Sequence, residues 1–333
     1  MGHMIQGKQV GNIGFGLMGL TWRPKKLPEE ECFAVIKAAL ENGCNYMNGG
    51  QFYGPPDNNS LTLLNKYYEK YPEDKDKILL NIKGCVGENF AVDASPEGVR
   101  ASVETCVRLI GGKGRIDQFE SARKDKKVDI ETTVAALKEQ VDAGNIGGIS
   151  LSEVSAATIR RAAKVAKIES VEVELSMWCT EPLENGVAEA CAEFDIPILA
   201  YSPLGRGALT GKIQSFDDLP EGDFRRMLPR FQPSVLENNL ALVKHLEEMA
   251  AKKGCTPAQI AINWVRLLSR KPGMPTIIPI PGASSPERVR ENAVEIELNE
   301  NDMSEIDVYL SKYRPVGDRY HAHGMEALDR STE

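Results

Sequence analysis

Residues 44–54 read Cys-Asn-Tyr-Met-Asn-Gly-Gly-Gln-Phe-Tyr-Gly, and the rest of the chain is arranged around this stretch. The run 45–48 predicts a short strand, which the two following glycines end. Helical spacing precedes the strand over 28–42 and follows it over 58–71. Tyr53 therefore lies in a loop directly after a strand, where its phenol could donate a proton or simply pack as a loop aromatic.

The same strand–helix unit recurs along the whole chain. Strands are predicted at 14–18, 45–48, 77–83, 115–121, 147–151, 170–175, 197–201 and 276–280. Amphipathic stretches with helical spacing alternate with them, including a mostly helical one over 233–253, and Ser95-Pro96-Glu97 predicts a capped helix start. Such alternation predicts parallel strands, and eight units predict closure into an α/β (β/α)8 TIM barrel, with a doubly wound open sheet as the alternative.

Composition fits one globular domain over 1–333. Hydrophobic residues make up 42% of the 333 residues, and no Gly/Ser linker or change of composition divides the chain. We expect 1–8 to be a tag remnant and N-terminal extension, and 301–333 to be a C-terminal tail with one helix. The sequence shows no apolar run long enough to span a bilayer and no signal peptide at its start.

Charge and cysteine content narrow the classes of function. The net charge of −8 argues against a protein that binds the phosphate backbone of nucleic acids. The seven cysteines include no C-x-x-C pair, so we expect core thiols in a reducing, cytoplasmic compartment. No metal site is predicted, since His321 and His323 lie in a polar tail. A small-molecule partner is expected, and a homo-oligomer is left open.

Two glycine-rich segments resemble nucleotide-binding motifs without meeting their requirements. Residues 14–19 have the spacing G-x-G-x-x-G, but Thr-Trp-Arg-Pro follows, so we expect no helix to start there and no open-sheet dinucleotide fold. Residues 205–212 read Gly-Arg-Gly-Ala-Leu-Thr-Gly-Lys. A P-loop would require glycine at Arg206 and Ser or Thr at Ile213. The segment is still a basic, glycine-rich loop whose backbone N–H groups could meet a phosphate.

Polar and small residues gather at the predicted strand ends, where a barrel of this kind binds its ligands. The residues at or just after those ends are Asn48, Tyr53, Lys83, Ala122, Ser152, Glu172, Tyr201 and Gly282. Their convergence on one face of the barrel favours a catalytic Tyr53 over a packed loop aromatic.

Taken in chain order, the strand-end residues and the segments near the end of the chain resemble the aldo-keto reductase family over nearly the full length of the sequence. The resemblance rests on Asn48 followed by Tyr53-Gly54, on Lys83, and on the segments 201–212 and 280–292. The last two read Tyr-Ser-Pro-Leu-Gly-Arg-Gly-x-Leu-Thr-Gly-Lys and Ile-Pro-Gly-x-Ser-x-x-x-Arg-x-x-Glu-Asn. Within the family, 48–56, 120–123 and 151–155 are most similar to the fungal pyridoxal reductases.

The resemblance implies NADPH bound across the barrel mouth and hydride transfer to an aldehyde, with pyridoxal the favoured substrate and pyridoxine the product. Tyr53 then donates a proton to the carbonyl oxygen. Lys83 is expected to lower the phenol's pKa from its free value of about 10. Asn48 completes the implied catalytic group.

The resemblance also implies cofactor and substrate contacts. Arg288 and Ser284 are expected at the adenosine 2′-phosphate, where a planar guanidinium suits an anion. The other implied cofactor residues are Glu291 and Asn292 at the adenine, Tyr201 at the nicotinamide, Ser152, Glu153 and Glu172 at its carboxamide, Gly205, Gly207 and Lys212 near the pyrophosphate, and Ser202, Leu204 and Gly282. The implied substrate pocket contains Trp22, Ala122, Arg123 and Phe224.

Four positions depart from the family pattern. Two of them, Glu153 and Glu172, replace the family's usual amides at the carboxamide site. The family has Asp where Asn48 stands, so Lys83 is expected to lack its charged partner. The family has His where Ala122 stands, and losing such a donor on the oxyanion side costs about 3 kcal/mol in comparable sites. Three hypotheses remain: a pyridoxal reductase, an aldo-keto reductase acting on another aldehyde or ketone of secondary metabolism, and a catalytically weak NADPH-binding or sensing subunit.

Overall fold

The computed structural model describes residues 2–331 and confirms the TIM barrel. Its strands are β1 His3–Ile5, β2 Lys8–Val10, β3 Phe15–Gly16, β4 Tyr46–Gly50, β5 Leu79–Gly84, β6 Gln118–Ser121, β7 Ile149–Ser152, β8 Ile168–Glu174, β9 Ile198–Tyr201 and β10 Ile277–Pro279. Strands β3 to β10 pair in parallel, in sequence order. The ring closes because Gly14 N–H donates to Pro279 O at 2.9 Å and Gly16 N–H donates to Pro281 O at 3.2 Å.

Helices surround this ring. They are α1 Met18–Thr21, α2 Glu29–Glu41, α3 Ser60–Lys70, α4 Pro96–Ile110, α5 Ile130–Asp142, α6 Ala156–Ala163, α7 Val187–Glu193, α8 Pro233–Asn239, α9 Ala241–Lys253, α10 Pro257–Leu267, α11 Pro286–Asn292, α12 Glu300–Lys312 and α13 Ala322–Glu326. The predicted start of α4 is confirmed, since the Ser95 hydroxyl accepts from Gly98 N–H and Pro96 occupies the first turn. Within residues 2–331, no helix is long and apolar enough to cross a membrane.

The N-terminal segment is more ordered than the sequence predicted. Strands β1 and β2 form an antiparallel hairpin that covers the amino-terminal end of the barrel. Ile5 and Val10 are buried there against residues that begin barrel strands, such as Tyr46 and Leu79. The Lys8 ammonium donates to Ile78 O at 2.8 Å. Two three-residue strands carry too little periodicity to be recognised from sequence.

Three other predicted boundaries differ from the structure. The prediction that no helix starts at the G-x-G-x-x-G segment is wrong, because the four-residue helix α1 begins at Met18. The next helix, α2, begins at Glu29. The helical stretch predicted over 233–253 is broken at Leu240 into α8 and α9. The tail contains two helices, α12 and α13, rather than one.

The interior of the barrel divides into an apolar and a polar level. Near the hairpin it is filled by the small apolar cluster around Tyr46 and Leu79. Above that level, buried polar side chains bond to one another across the strands; they are Asn48, Asn81, Lys83, Gln118, Glu120, Ser150, Ser170 and Glu172. TIM-barrel interiors are usually packed with branched apolar residues. Burying polar groups costs free energy unless they are paired, so this polar level is the candidate functional site.

Candidate active site

The centre of the polar level is the ammonium group of Lys83. Its Nζ lies 2.5 Å from Glu172 Oε1 and 3.3 Å from Glu120 Oε1, and it donates to Asn48 Oδ1 at 2.9 Å. Asn48 Nδ2 in turn donates to Glu172 Oε2 at 2.5 Å. Lys83 and Glu120 are direct neighbours in the register of β5 and β6, whereas Glu172 reaches Lys83 from β8, across the barrel.

The expectation that Lys83 lacks a charged partner is therefore wrong. The family's aspartate is absent at Asn48, but Glu172 supplies a carboxylate from another strand. Burial alone would lower the pKa of Lys83, but Glu172, Tyr53 and Glu120 together raise it above its ordinary value. Lys83 is consequently a cation, and Asn48 bridges it to Glu172 as a neutral amide.

Glu120 is the second acid in the cluster, and the sequence analysis gave it no role. Its side chain is fully buried, and neither carboxyl oxygen has a well-directed hydrogen bond among residues 2–331. Burial, together with the nearby charge of Glu172, raises the pKa of Glu120 well above its usual range, despite the opposing effect of Lys83. The surroundings of Glu120 therefore favour its protonated form, and Glu172 is the acid nearest to the Lys83 ammonium.

Tyr53 is held above this cluster by the loop that follows β4. Its amide donates to Gly50 O at 3.3 Å, and a Cβ on Gly50 would lie 2.9 Å from the Tyr53 ring, so only glycine lets the ring pack there. Gly54 continues the turn with φ of +112°. Burial raises the pKa of Tyr53 to about 12 and outweighs the Lys83 charge, which does lower that pKa as expected, so the expected net lowering is wrong. Tyr53 is therefore a neutral phenol that can donate a proton.

An aromatic wall stands beside Tyr53. The Trp22 ring lies 5.7 Å from the Tyr53 ring and stacks on Phe90 at 5.7 Å, while Phe52 meets Tyr53 edge-on at 4.9 Å. Trp22 and Phe90 are 44% and 59% exposed, so the wall has a free face. Trp22, expected in the substrate pocket, thus lies next to Tyr53, and Phe90 extends the wall.

Other residues of the expected substrate pocket lie in different surroundings. Ala122 is buried at the end of β6, and the Arg123 guanidinium donates to Ala122 O at 2.6 Å. Arg123 Cζ lies 6.0 Å from the ring centre of Tyr320, a residue of the tail. Phe224 is 47% exposed on a short 3-10 helix, Phe224–Met227. No contact within residues 2–331 joins its ring to the aromatic wall.

The C-terminal tail returns across the barrel mouth and contacts two of the expected cofactor residues. Arg319 Nη2 lies 3.0 Å from Glu153 Oε2, and Arg319 Nη1 lies 3.3 Å from Glu174 Oε2. The hydroxyls of Tyr320 and Tyr201 are 2.9 Å apart. Glu153 and Tyr201 are thus engaged with the tail rather than free in the mouth.

Among the other expected cofactor residues, Glu172 is engaged with Lys83 and Asn48, whereas Ser152 and the loop after β9 keep features that suit a dinucleotide ligand. Ser152 Oγ is buried and has no hydrogen-bond partner within residues 2–331, as expected of a group that awaits a ligand. In the loop after β9, Gly205 and Gly207 have φ of +55° and +94°, a backbone conformation that favours glycine. Their own N–H groups donate within the loop, to Ser202 O at 2.9 Å and Leu204 O at 3.0 Å. Arg288 is partly exposed on α11 and lies 3.3 Å from Glu291. The other expected contacts along these segments are Ser202, Leu204, Lys212, Gly282, Ser284 and Asn292.

Sequence reasoning missed four residues of the site: Glu120, Phe90, Arg319 and Tyr320. A signal for Glu120 did exist, because it alternates with Gln118 and Ala122 and so faces the same side of β6 as they do. No local pattern identifies the other three. Their positions depend on how distant loops and the tail pack in three dimensions.

Replacing Glu120 with Gln should flatten the pH dependence of stability. Because the fold raises the pKa of Glu120, the native state keeps a proton that the unfolded chain releases above about pH 4.5. The stability that this proton gives the fold is complete below about pH 4.5 and is lost as the pH rises toward the pKa of Glu120 in the folded state. The free energy of unfolding in urea is measured at about pH 5 and about pH 8. Its change between the two pH values should be about 1 kcal/mol smaller in Glu120→Gln than in the wild type. Glu139→Gln, on the exposed face of α5, serves as the control; an unchanged difference in Glu120→Gln would contradict the assignment.

Comparison with known proteins agrees with this geometry. The sequence model of the aldo/keto reductase family matches residues 12–310. A probable pyridoxal reductase 2 of Schizosaccharomyces pombe is 40% identical over 327 residues, which cover 96% of this chain and 97% of that protein. A putative pyridoxal reductase of Saccharomyces cerevisiae is 38% identical, with 93% and 95% covered.

Solved structures show the same fold at lower identity. A glycerol dehydrogenase from Gluconobacter oxydans superposes with a TM-score of 0.79 at 22% identity, covering 93% of this chain and 94% of that one. A thermostable aldo-keto reductase, solved with the inhibitor epalrestat, gives a TM-score of 0.70 at 22% identity, covering 92% and 99%. The length of the family match and the identity to the two yeast proteins settle the assignment: this chain is an oxidoreductase that belongs to the aldo/keto reductase family.

Proposed function

We propose that the protein is an NADPH-dependent carbonyl reductase whose substrate is pyridoxal. One observation carries the proposal: Tyr53 is a neutral phenol at the barrel mouth, and its ring centre lies 5.7 Å from the Lys83 ammonium. The similarity to two proteins named as pyridoxal reductases supports the choice of substrate. The aromatic wall of Trp22 and Phe90 suits a flat, ring-bearing aldehyde.

The chemistry assigned to this chain is proton donation. The bound cofactor supplies the hydride. As negative charge develops on the carbonyl oxygen, the Tyr53 O–H bond breaks and its proton passes to that oxygen. The Lys83 charge stabilises the phenolate that remains, at a distance set by Glu172, Asn48 and Glu120. Ala122 leaves room beside the carbonyl where a bulkier side chain would crowd a ring.

Cofactor binding uses the segments that remain accessible. The Ser152 hydroxyl would meet the carboxamide, and the missing side chains at Gly205 and Gly207 would let the pyrophosphate approach the loop after β9 closely. Arg288 would turn from Glu291 to a 2′-phosphate, which gives the preference for NADPH. Glu153 and Tyr201 can contact the cofactor only once their contacts with Arg319 and Tyr320 open, so their assignment includes movement of the tail.

The alternatives are weakened unequally by the geometry. A catalytically weak NADPH-binding subunit is suggested by Asn48 in place of an aspartate and by Ala122 in place of a histidine. Glu172 removes the first reason by pairing with Lys83, and the second remains. A reductase for another aldehyde or ketone uses the same chemistry and differs only in the shape of the substrate.

All seven cysteines are free thiols, which supports the proposal of a reducing, cytoplasmic compartment.

Tyr53→Phe should reduce the turnover number for pyridoxal by at least about 100-fold, because only the proton donor is removed. NADPH oxidation is followed by absorbance, with pyridoxal and a panel of other aldehydes and ketones. Tyr309→Phe, on α12 and stacked on His245, is the matched control and should keep wild-type turnover. Equal rates in wild type and Tyr53→Phe would remove Tyr53 from the mechanism, and a better substrate in the panel would replace pyridoxal.

Arg288→Ala should weaken NADPH binding by about tenfold or more and leave NADH binding nearly unchanged, because only NADPH carries the 2′-phosphate. Dissociation constants are measured by quenching of tryptophan fluorescence. Arg290→Ala, on the same helix and paired with Glu287, is the control. An equal loss of affinity for both cofactors would show that Arg288 supports the loop rather than the phosphate.

A further inference from the structure

Three guanidinium groups surround one aromatic ring of the tail at the barrel mouth. They belong to Arg206, Arg319 and Arg123, whose Cζ atoms lie 4.3, 5.9 and 6.0 Å from the ring centre of Tyr320. Two of the three are paired with buried carboxylates. Arg206 Nη2 lies 2.8 Å from Glu174 Oε2, and Arg319 Nη2 lies 3.0 Å from Glu153 Oε2. Both buried acids of this cluster are therefore already engaged.

Arg123 is the member of the cluster that has no carboxylate partner among the side chains that the structure describes. The one hydrogen bond that its guanidinium makes there goes to the backbone, with Nη1 donating to Ala122 O at 2.6 Å. A guanidinium carries five N–H donors, so most of this fork is available to a ligand. Arg123 is also half-buried, and a partly desolvated cation without a counter-ion costs free energy.

The guanidinium of Arg123 faces the barrel mouth. Arg123 follows β6, but the ring that it approaches, Tyr320, is joined through its hydroxyl to Tyr201 at the end of β9, at 2.9 Å. These two strands are three places apart in the ring, so the side chain reaches over the mouth rather than outward. Its charge also acts on Tyr53: burial raises the pKa of Tyr53, and Arg123 joins Lys83 in opposing that rise.

A substrate in the proposed orientation would bring a neighbouring group toward Arg123. Its carbonyl oxygen meets the Tyr53 hydroxyl, and its ring can stack on the exposed faces of Trp22 and Phe90. Ala122, which precedes Arg123 in the chain, offers neither a polar group nor bulk beside the carbonyl. An anionic oxygen on the ring carbon next to the aldehyde would therefore find a cation without a counter-ion, whose planar fork suits an anion.

We propose that Arg123 is a specificity-determining residue that binds an ionised ring hydroxyl next to the carbonyl group, so that the site prefers aromatic aldehydes with an ortho phenolate. The proposal rests on the proposed carbonyl reductase activity and narrows its substrate class. Pyridoxal belongs to this class, because its ring hydroxyl lies next to the aldehyde. The phenolate stays on the ring throughout the reaction, so the contact acts on binding and orientation and leaves proton donation to Tyr53.

The test compares two aldehydes that differ only in whether they can ionise. One is nitrosalicylaldehyde with the nitro group para to the hydroxyl, which is ionised at neutral pH, and the other is its methyl ether. With NADPH, the wild type should show a higher kcat/KM for the ionised aldehyde. The ratio of the two values should fall by at least about tenfold in Arg123→Gln, because a charge-assisted hydrogen bond is lost. Arg160→Gln, on α6 and paired with Glu193, is the control and should keep the wild-type ratio.

A binding measurement tests the same contact without turnover. The corresponding nitro-substituted hydroxybenzyl alcohol has no carbonyl to reduce, and the colour of its phenolate reports its ionisation. At saturating protein and in the presence of NADPH, the wild type should lower the pH at which this phenol ionises by about one unit or more. Arg123→Gln should leave that pH close to its value in water, and Arg123→Lys, which keeps the charge without the fork, should give an intermediate shift.

The outcomes separate this inference from the proposed function. A wild type that does not favour the ionised aldehyde, or an equal loss of kcat/KM for both aldehydes in Arg123→Gln, would overturn the role of Arg123. Discrimination that depends on Arg123 in an enzyme that leaves pyridoxal unreduced would sustain the inference and overturn pyridoxal as the substrate. If no carbonyl is turned over, the proposed function fails and the phenol titration decides on Arg123. If Arg123→Gln does not fold, a wild-type shift that Arg123→Lys reduces sustains the inference, and no shift overturns it.

Discussion

The buried contact between Lys83 and Glu172 is the interaction on which the site depends. It joins β5 to β8 across the barrel, and Asn48 on β4 completes it by donating to the same carboxylate at 2.5 Å. Separating either ion from the other would leave an unpaired charge in the interior, which costs about 3–5 kcal/mol in comparable cases. The pair therefore fixes where the ammonium can lie, and the ammonium sets the electrostatic surroundings of Tyr53.

The reaction surface is assembled around that fixed charge from elements of very different kinds. A glycine-dependent loop places the phenol above the cluster, and an exposed aromatic wall offers a stacking face beside it. The tail closes the other side of the mouth through Arg319 and Tyr320. Rigid strands thus carry the charges, whereas loops and the tail carry the groups that must admit and release ligands.

The sequence predicted the barrel because strand–helix alternation is a local and repeated signal, and it predicted Tyr53 and Lys83 because both lie at strand ends. It misjudged the partner of Lys83. The substitution at Asn48 is visible in sequence, but the compensating Glu172 lies on a strand whose approach to Lys83 exists only after the barrel closes. The hairpin β1–β2 and the path of the tail depend on packing in the same way, so no local pattern identified them.

The central claim is that the carboxylate partner of Lys83 has moved from β4 to β8, and exchanging the two residues tests it most directly. The measurement is the free energy of unfolding in urea for Asn48→Asp, Glu172→Gln and the two changes combined. Asn48→Asp alone places two carboxylates in contact, and Glu172→Gln alone leaves Lys83 with Glu120 only, so each should destabilise the fold. We predict that the combined variant recovers most of the loss, with a favourable coupling of about 2 kcal/mol or more. Losses that simply add would contradict the account.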